Sequence, residues 1–588
     1  MKLFLKIIIS CLFLLQATVM VQISYAGAIY PINQASILSG SLFDIKVELD
    51  HVVDPRDINV MMNGKPISQL IKARPDYISN ENGKGSSLVW RNVSIVPVGN
   101  YQINISVKES TEAYQLSWNV YTTGIKKAKN VIFFLGDGMT IANRTAARIL
   151  SKGIVEGKYQ GKLSFEDMPY SAMIGTSGAD SLLTDSANSM SAYMTGHKSS
   201  VNALGVYASR ASDNLAHPKV ETLGELIKRK TNMGLGIVSD TEIEDATPAA
   251  VVAHTRRRAD KQYIADTLFL SGADVILGGG SAYFKPQSDK ESKRKDNNDL
   301  MRLFKIDGYA MASTKEELLS VAAKPETKKL FGMFHPDNMD GSLDRLFLKK
   351  NTVPQYPNQP DLTDMTKAAL DVLSKNPNGF FLVVEAGLID KFNHPLDWER
   401  AAFDTIMLSN AVQIAKDFAA KHPDTLIIVT PDHTHSGSIS GVINDVKEGS
   451  LREKVGVYAD AGFPNYPKAN AEGYPEKIDV SKRLAFFYGS YPDHYETLRP
   501  KLDGTFIPAI KDEDKKGFVA NPKYKQQFEN AMYVDGNLPL ANDVGVHTAD
   551  DGLLNAMGPG AEKFRGFMDN TEVFQAIVNA LGLAKSYK

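Results

Sequence analysis

The stretch VIFFLGDG, residues 131–138, is a short apolar run that ends in an acid. A continuous apolar run of this length, bounded by turn residues, is typical of a strand that is buried on both faces. Similar runs follow it along the chain: GLGIVS (234–239), ADVILGGG (273–280), GFFLVVEAG (379–387) and TLIIVT (425–430). Amphipathic segments lie between them, such as VETLGELIKRK at residues 220–230. Strands that alternate with helices predict an α/β fold, with a mostly parallel central sheet and helices on both faces.

Acidic residues mark the ends of three of these runs. Asp137 follows VIFFLG, Glu385 ends FFLVVE, and Asp432 with His433 follows TLIIVTP. In an open parallel sheet the carboxyl ends of the strands share one edge, and ligands bind in the crevice there. Carboxylates that gather without partners repel one another and raise each other's pKa, so a group of acids and imidazoles needs cations. The sequence therefore predicts a metal site at this edge.

Asp390 and His394, in the stretch EAGLIDKFNH, are four residues apart. A helical turn places such a pair on one side, and a carboxylate with a neutral imidazole suits Zn²⁺. The alternative for the pair alone is a surface salt bridge or a cap, but the nearby strand-end acids favour a ligand set. His547, in DVGVHTADDG, follows a long irregular stretch, and on its own it leaves a ligand and a structural role equally open.

The other histidines are interpreted as structural. Five of them fall in predicted loops or on polar faces: His51, His217, His335, His422 and His494. Three more lie nearer to the motifs, and a structural role is the interpretation for each of them as well: His197, His254 and His435.

The stretch TDSANSMSAYMTGHKSS, residues 184–200, places Asp185 and Ser186 directly before a segment that is rich in Ala, Met and Tyr and reads as a helix. A serine at a helix start can act as a cap, because its hydroxyl oxygen accepts a hydrogen bond from a free backbone N–H group. It can also be a nucleophile if a base or a metal activates its hydroxyl group. The stretch alone leaves both roles open.

Composition and the first residues limit the class of protein. With 66 basic and 68 acidic residues in 588, the chain lacks the basic excess of a nucleic-acid-binding protein. Residues 1–26 combine Lys2 and Lys6 with a long apolar run and predict a signal peptide cleaved after Ala26; the alternative is an uncleaved membrane anchor. We therefore expect a periplasmic or secreted protein with no membrane span after cleavage. Its mature chain has no disulfide, because Cys11 is the only cysteine.

The chain is predicted to consist of two domains and an insertion. Residues 27–124 show alternating apolar and polar positions, for example in LFDIKVELD (42–50), which is typical of strands with one buried face. They predict a small β-sandwich of immunoglobulin-like architecture, in which no cluster of His, Asp or Glu marks a site. Residues 125–588 form the predicted catalytic domain, and a Pro-, Gly- and Lys-rich stretch at about 437–542 is predicted to be an insertion subdomain.

Taken together, the motifs resemble those of the alkaline phosphatase family over about residues 128–583. They occur in the family's order: FFLGDGM, TDSANSMSAYMTG, VSDTEIEDATPAAVVAHTRRR, VVEAGLIDKFNH, IVTPDHTHSG and GVHTADDG. The resemblance implies an enzyme that hydrolyses phosphate monoesters through a phosphoserine intermediate at alkaline pH. It also implies two zinc ions and one magnesium ion per chain, small-molecule monoesters as substrates, and a homodimer.

The same resemblance implies roles for single residues. Ser186 corresponds to the nucleophile, and Arg258 to the guanidinium group that clamps the phosphate. The implied metal ligands form three groups: Asp390, His394 and His547 for one zinc, Asp432 and His433 for the second, and Asp137, Thr247 and Glu385 for magnesium, with Asp137 bridging to the second zinc. Asp245 and Lys391 correspond to residues that act on the magnesium and on phosphate through water.

Spacing alone does not rank Arg256, Arg257 and Arg258. Pro248 suits the first turn of a helix capped by Thr247, and a straight helix from there would place Arg258 about 16 Å away. Only the family pattern selects Arg258.

Two alternatives belong to different classes of function. The first is a phosphodiesterase or another hydrolase of the same superfamily. A sulfatase would need its nucleophile in the pattern Cys or Ser, x, Pro, x, Arg, and SANSM (186–190) has neither Pro nor Arg. Diesterases that resemble this fold generally use Thr as the nucleophile and have no clamping Arg. The second is a metal-binding adhesin, which would leave Ser186, Lys391 and Arg258 without a role.

Overall fold

A computed structural model describes residues 28–110, 113–514 and 516–584 of the chain. The predicted signal peptide, residues 1–26, lies outside the described residues. Within them, no helix combines the length and the apolar character that are needed to cross a bilayer.

A ten-stranded sheet forms the centre of the molecule. Its strands follow one another in space in this order: Ala310–Ala312, Leu330–Met333, Val275–Gly279, Gly234–Glu242, Phe380–Ala386, Asn130–Gly136, Thr425–Thr430, Gly552–Met557, Tyr170–Gly175 and Gly566–Asp569. Only Gly552–Met557 runs antiparallel to its neighbours, and all other adjacent pairs are parallel. The predicted mostly parallel α/β sheet is therefore confirmed.

Helices cover both faces of this sheet because its strands are apolar on both sides. In the strand Asn130–Gly136, Phe133 packs into the core on one face, whereas Ile132 and Phe134 pack into the core on the other. The first face carries the helices Ser186–Thr195, Leu223–Lys230, Ala246–Ala249, Lys261–Leu270, Leu300–Ile306 and Asn570–Leu581. The second face carries Ile141–Lys152, Lys315–Ala322, Leu362–Leu373, Leu388–Asn393 and Trp398–Lys421.

The register of the sheet brings the strand-end acids together. Leu135 pairs with Glu385 on one side and with Thr430 on the other. Asp137 and Asp432 each lie two residues beyond that row, so all three carboxylates stand at the same edge. The position of the acids expected from the sequence is confirmed.

The stretch at about 437–542 carries short antiparallel strands beside this edge. The strand Gly437–Asn444 pairs with Val455–Gly456 and with Lys482–Tyr488. Two further pairs and one helix follow: His494–Glu496 with Met532–Val534, Ala509–Asp512 with Gly517–Ala520, and Pro522–Gln527. Whether this stretch is an independent subdomain stays a prediction.

Residues 28–121, the β region, form two sheets around a common apolar core that contains Trp90 and Trp118. One sheet consists of Ala28–Tyr30, Phe43–Glu48, Ser87–Val93 and Asp76–Ile78. The other consists of Ala35–Leu38, Ala113–Tyr121, Gly99–Val107, Ile58–Met62 and Lys65–Pro66, and the short helix Ile67–Ile71 lies beside it. Its immunoglobulin-like architecture and its limits as a domain stay predictions.

The strand Phe43–Glu48 corrects one expectation from the sequence. Alternation predicts a single buried face, but Asp44, Lys46 and Glu48 are buried as well as the apolar residues between them. Residues of the α/β part cover this polar face, and a strand's own sequence does not reveal such a partner.

A buried ion group ties the longest helix to the rest of the core and gives a stability prediction. The guanidinium of Arg400 donates to Asp344 at 2.7 and 2.9 Å and to Asp397 at 2.6 Å, and all three side chains are fully buried. Arg400→Met leaves two carboxylates without their cation, so we expect a loss of about 3–5 kcal/mol in the free energy of unfolding, measured with urea.

Lys367→Met is the matched control, because Lys367 pairs with Asp371 on the surface at 2.6 Å. An exposed pair of this kind contributes less than about 1 kcal/mol. If both variants lost the same free energy of unfolding, the buried ion group would not contribute more to stability than the surface pair.

Candidate active site

The helix Ser186–Thr195 begins at Ser186, but the residue that caps it is Asp185. Asp185 Oδ1 accepts a hydrogen bond from Asn188 N–H at 3.1 Å, and the Asn188 side chain accepts one from Asp185 N–H at 2.9 Å. The capping role considered for Ser186 is therefore wrong, and Asp185, which the sequence left without a role, performs it. The hydroxyl group of Ser186 is therefore not used to cap the helix.

The Ser186 hydroxyl points at the carboxyl edge of the sheet. Its Oγ lies 3.2 Å from Asp137 Oδ2 and 3.2 Å from His433 Nε2. His433 Nε2 in turn lies 3.2 Å from Asp137 Oδ1 and 3.4 Å from Asp432 Oδ2. A buried serine thus faces a group of two carboxylates and one imidazole.

A second group of possible ligands lies beside the first. Asp390 Oδ1 is 3.4 Å from His394 Nε2 and 3.5 Å from His547 Nε2, as the helical spacing and the resemblance predict. The potential ligand atoms of this group lie within 4.8 Å of one another, and the same holds for Asp137, Asp432 and His433.

His435 also lies in this second group, and its structural role stays a prediction. Its Nε2 lies 2.6 Å from Asp390 Oδ1, closer than any other imidazole nitrogen. The signal that could have found it is the spacing of His433 and His435, since residues two apart in an extended segment point the same way. The short strand Thr434–His435 pairs with His547–Thr548, which brings His547 back to the site after the long insertion.

Backbone carbonyls orient two of these imidazoles. His394 Nδ1 lies 2.7 Å from Gly545 O, and His547 Nδ1 lies 2.7 Å from Thr184 O. A carbonyl oxygen only accepts, so each Nδ1 carries the proton and each Nε2 keeps its lone pair for the site.

Glu385 and Thr247 lie outside the two ligand groups. Glu385 Oε2 accepts hydrogen bonds from the hydroxyl groups of Ser239 and Thr241, the latter at 3.2 Å. Sequence reasoning missed Ser239 and Thr241 as partners of Glu385. The parallel pairing of their strand with the strand of Glu385 places Ser239 beside Glu385. Thr247 Oγ1 is buried and has no hydrogen-bond partner in the described part of the chain.

Arg258 faces the site, although not by way of a straight helix. The helix that contains Thr247 is short, Ala246–Ala249, and Asp245 is its N-terminal cap. The expectations of a long straight helix and of a cap formed by Thr247 are therefore both wrong. After the helix the chain turns back, and Arg258 donates to Asp245 Oδ1 at 2.9 Å and contacts Asp185 Oδ2 at 3.4 Å. The distance of about 16 Å expected for a straight helix does not apply.

The two arginines that precede Arg258 in the sequence do not face the site. Arg256 donates to Val201 O at 2.8 Å, and Arg257 is exposed. Lys391 Nζ lies 3.0 Å from Asp245 Oδ2, so the Asp245 carboxylate holds both Arg258 and Lys391.

Burial dominates the ionisation of the carboxylates around Ser186. Burial raises the pKa of Asp137 well above its ordinary value, and the carboxylates of Asp432 and Asp390 raise it further. Burial also raises the pKa of Asp432 to about 6 and that of Glu385 to about 7. These groups therefore do not all ionise unless positive charge stands near them.

Asp390 and the two cationic side chains behave differently. Burial acts to raise the pKa of Asp390, but the imidazoles around it outweigh burial and hold that pKa well below its ordinary value. Burial also acts against the charge on Arg258 and Lys391, yet the Asp245 carboxylate raises the pKa of both side chains. The site thus keeps two cations fixed on Asp245.

The residues present fit divalent cations. Asp432 Oδ2 is buried and, like Thr247 Oγ1, accepts no hydrogen bond within the described ranges. Leaving such an atom without a partner costs about 1–3 kcal/mol. Carboxylate oxygen and neutral imidazole nitrogen are metal ligands, and a cation in each group would satisfy these atoms and lower the mutual repulsion of the acids.

A serine at a helix N-terminus, beside two groups of metal-ligand type at the carboxyl edge of an α/β sheet, defines a candidate metal-dependent hydrolase. The family model described as alkaline phosphatase matches residues 128–583. The alkaline phosphatase of Gadus morhua is 30% identical over 498 residues, which cover 79% of this chain and 93% of the relative. That of Escherichia coli (strain K12) is 33% identical over 413 residues, 64% of this chain and 84% of the relative.

Solved structures agree with this match at the level of the fold. The crystal structure of Thermus thermophilus alkaline phosphatase superimposes with a TM-score of 0.55 at 23% identity, over 79% of this chain and 93% of that one. The chain belongs to the alkaline phosphatase family. It is a metal-dependent hydrolase of phosphate monoesters.

Proposed function

We propose that the chain hydrolyses small phosphate monoesters through a phosphoserine formed on Ser186. The observation that supports this most directly is the position of the Ser186 hydroxyl, 3.2 Å from both Asp137 and His433. A buried hydroxyl group so placed is next to the groups that would hold an activating cation, and metal coordination is one recognised way to activate a serine.

The proposed metal set follows the two ligand groups and the resemblance. Asp390, His394 and His547 would hold one zinc ion, and Asp432, His433 and Asp137 a second. Asp137, Thr247 and Glu385 would hold magnesium. When bound, these cations lower the pKa of oxygen ligands and stabilise the charge that develops on the attacking and leaving oxygens.

The proposed hydrolysis consists of two displacements at phosphorus, the first by Ser186 and the second by water. Ser186 Oγ loses its proton to solvent and forms a bond to phosphorus, while the bond from phosphorus to the ester oxygen breaks and that oxygen takes up a proton from solvent and leaves as the alcohol. A water oxygen then bonds to phosphorus, the bond to Ser186 Oγ breaks, and the serine recovers a proton as inorganic phosphate departs. Each displacement proceeds in line, so attacking and leaving oxygens stand on opposite sides of phosphorus.

The chain's own charges bind the phosphoryl group throughout. Arg258, held by Asp185 and Asp245, presents its guanidinium group to the phosphate oxygens, and a planar guanidinium matches such oxygens in a bidentate manner. Lys391 adds a second positive charge through its contact with Asp245. The free N–H groups at the start of the helix Ser186–Thr195 favour an anion at the same place.

The assembly and the compartment are part of the same proposal. We propose a homodimer from the family resemblance. We also propose a periplasmic or secreted location, from residues 1–26, which lie outside the described part of the chain.

A comparison of three chromogenic substrates tests this function against the phosphodiesterase and sulfatase alternatives. With zinc and magnesium supplied, we expect kcat/KM for a phosphate monoester to exceed that for a diester and for a sulfate by at least about 100-fold, because the site is built for a doubly charged phosphoryl group. A preference for the diester or the sulfate would contradict the proposal. No hydrolysis of any of them by metal-loaded, folded protein would favour the adhesin.

A further inference from the structure

A long loop, which we call the arm (residues 204–221), lies between the β region and the active site. It folds back on itself as a hairpin. Tyr207 N–H donates to Pro218 O at 2.9 Å, and Val220 N–H donates to Gly205 O at 3.0 Å. The two legs of the arm are therefore hydrogen-bonded to each other.

One leg of the arm extends the sheet of the β region. Asp44 N–H donates to Lys219 O at 2.8 Å, and Glu221 N–H donates to Leu42 O at 2.9 Å. The Asp44 carboxylate also accepts a hydrogen bond from Lys219 N–H at 3.0 Å. Asp44 is one of the buried polar residues that the sequence did not explain, and the arm is the partner that covers it.

The side chain of Arg91 adds a second link from the β region to the same leg. Its guanidinium donates to Ala216 O at 2.7 Å and to His217 O at 3.3 Å. It also donates to Asp44 Oδ2 at 2.7 Å, so one arginine joins the strand and the arm.

Arg210, near the tip of the arm, is inserted into the β region. Its guanidinium donates to Leu49 O at 2.7 Å and to Ser86 O at 2.6 Å, and its side chain is only 9% exposed. The surrounding buried charges are two basic and two acidic: Arg210, Lys46, Glu48 and Glu81. Because a buried charge without its partner is costly, these groups hold the arm and the β region together.

The other leg of the arm continues to the phosphate site. Leu204 and Thr255 exchange both backbone hydrogen bonds, at 2.8 and 3.0 Å. Just beyond, Arg258 N–H donates to Asn202 O at 2.8 Å, and Asn202 N–H donates to Asp185 Oδ2 at 3.1 Å. This is the carboxylate that caps the nucleophile helix and contacts the Arg258 guanidinium.

We propose that the β region is a positioning element of the phosphate site, and that it holds Arg258 in its binding orientation through the arm. The inference rests on the proposed function, in which Arg258 binds the phosphate. Backbone hydrogen bonds run without a break from the strand Phe43–Glu48 across both legs of the arm to Thr255, three residues before Arg258. Mutations along contiguous networks of this kind can change the coupling between two sites by roughly two- to thirtyfold.

The test is a double-mutant cycle between Arg91 and Arg258 in the full-length enzyme loaded with zinc and magnesium. Arg91 is the better first variant because its side chain is 34% exposed, so Arg91→Ala leaves no buried cavity. We expect Arg91→Ala to raise KM for a phosphate monoester and Ki for inorganic phosphate by about three- to tenfold, with a smaller change in kcat. In the Arg258→Ala background the same substitution should change KM and Ki by less than about twofold, because the residue through which it acts is gone.

Three further variants make the result specific. Arg56→Ala removes an arginine that pairs with Asp54 on the surface of the same region, and it should change nothing. Arg210→Ala should act like Arg91→Ala with a larger effect, and Arg91→Lys, which keeps the charge, should recover part of the loss. Circular dichroism establishes that each variant is folded.

The outcomes separate this proposal from the function on which it rests. If Arg258→Ala weakens phosphate binding but Arg91→Ala does not, or if the two effects simply add, the β region does not position Arg258. If Arg258→Ala leaves KM and Ki unchanged, the phosphate clamp itself is wrong, and the positioning role is wrong with it.

Discussion

Ser186→Ala is expected to lower turnover of a phosphate monoester by at least about 1,000-fold, with the protein still folded and loaded with metal. The Ser186 hydroxyl is the only group that this substitution removes, and its Oγ stands between Asp137 and His433. Without it no phosphoserine forms, and only direct attack of water on the bound ester remains. Steady-state kinetics with a chromogenic monoester provides the measurement.

Stability should hardly change in this variant. A lost helix cap costs about 1 kcal/mol, but the cap here is Asp185, which the substitution leaves in place. The matched control is Thr195→Ala, which removes a hydroxyl group from the other end of the same helix. Thr195 Oγ1 donates to Ser191 O at 2.7 Å, so we expect some loss of stability and near-normal turnover of the folded protein.

Acid quenching distinguishes the phosphoserine route from direct hydrolysis. Wild-type protein incubated briefly with substrate and stopped at low pH should carry acid-stable phosphate on Ser186, detectable by mass spectrometry. Ser186→Ala should carry none. Near-normal turnover in the alanine variant would show that Ser186 is not the nucleophile.

Removal of metal ions is expected to have the second large effect. Exhaustive chelation should reduce monoester hydrolysis by at least about 1,000-fold, because the buried carboxylates around Ser186 then have no cation and the serine has no activating partner. Return of zinc and magnesium should restore the activity. Elemental analysis of reconstituted protein should find two zinc ions and one magnesium ion per chain.

Two histidine variants make this result specific to the ligand groups. His547→Ala removes an imidazole that lies 3.5 Å from Asp390, and it should lower both the zinc content and the activity. His422→Ala removes an exposed imidazole that stacks on Phe418, and it should keep both. Activity that survives chelation, or a zinc content that is equal in the two variants, would refute the proposed metal set.

The sequence predicts the central sheet and its acids well because both depend on local patterns. An apolar run followed by an acid gives a buried strand and a carboxylate at its end, and parallel pairing collects the ends at one edge. Asp137, Glu385 and Asp432 follow from this reasoning alone. The pair Asp390 and His394 follows from the period of one helical turn.

Contacts between distant segments explain what the sequence does not predict. Arg258 is selected over its two neighbours by a backbone hydrogen bond to Asn202 and by a helix that ends early, at Ala249. Neither follows from residue spacing. His435 is a different case, since its two-residue spacing from His433 was visible and only its carboxylate partner, Asp390, was not.

The order of strands has a consequence for how the chain folds. The strand Asn130–Gly136 lies in the middle of the sheet, yet Leu135 pairs with Glu385 and Thr430, so each pairing closes a loop of about 250 residues or more. Contact order this high slows folding, because the entropy of closing the loop is lost before the contacts stabilise the chain. His547, which completes the second ligand group, comes later still. We therefore expect the catalytic edge to assemble late in folding, because a chain that is not yet complete as far as His547 lacks one member of the second ligand group.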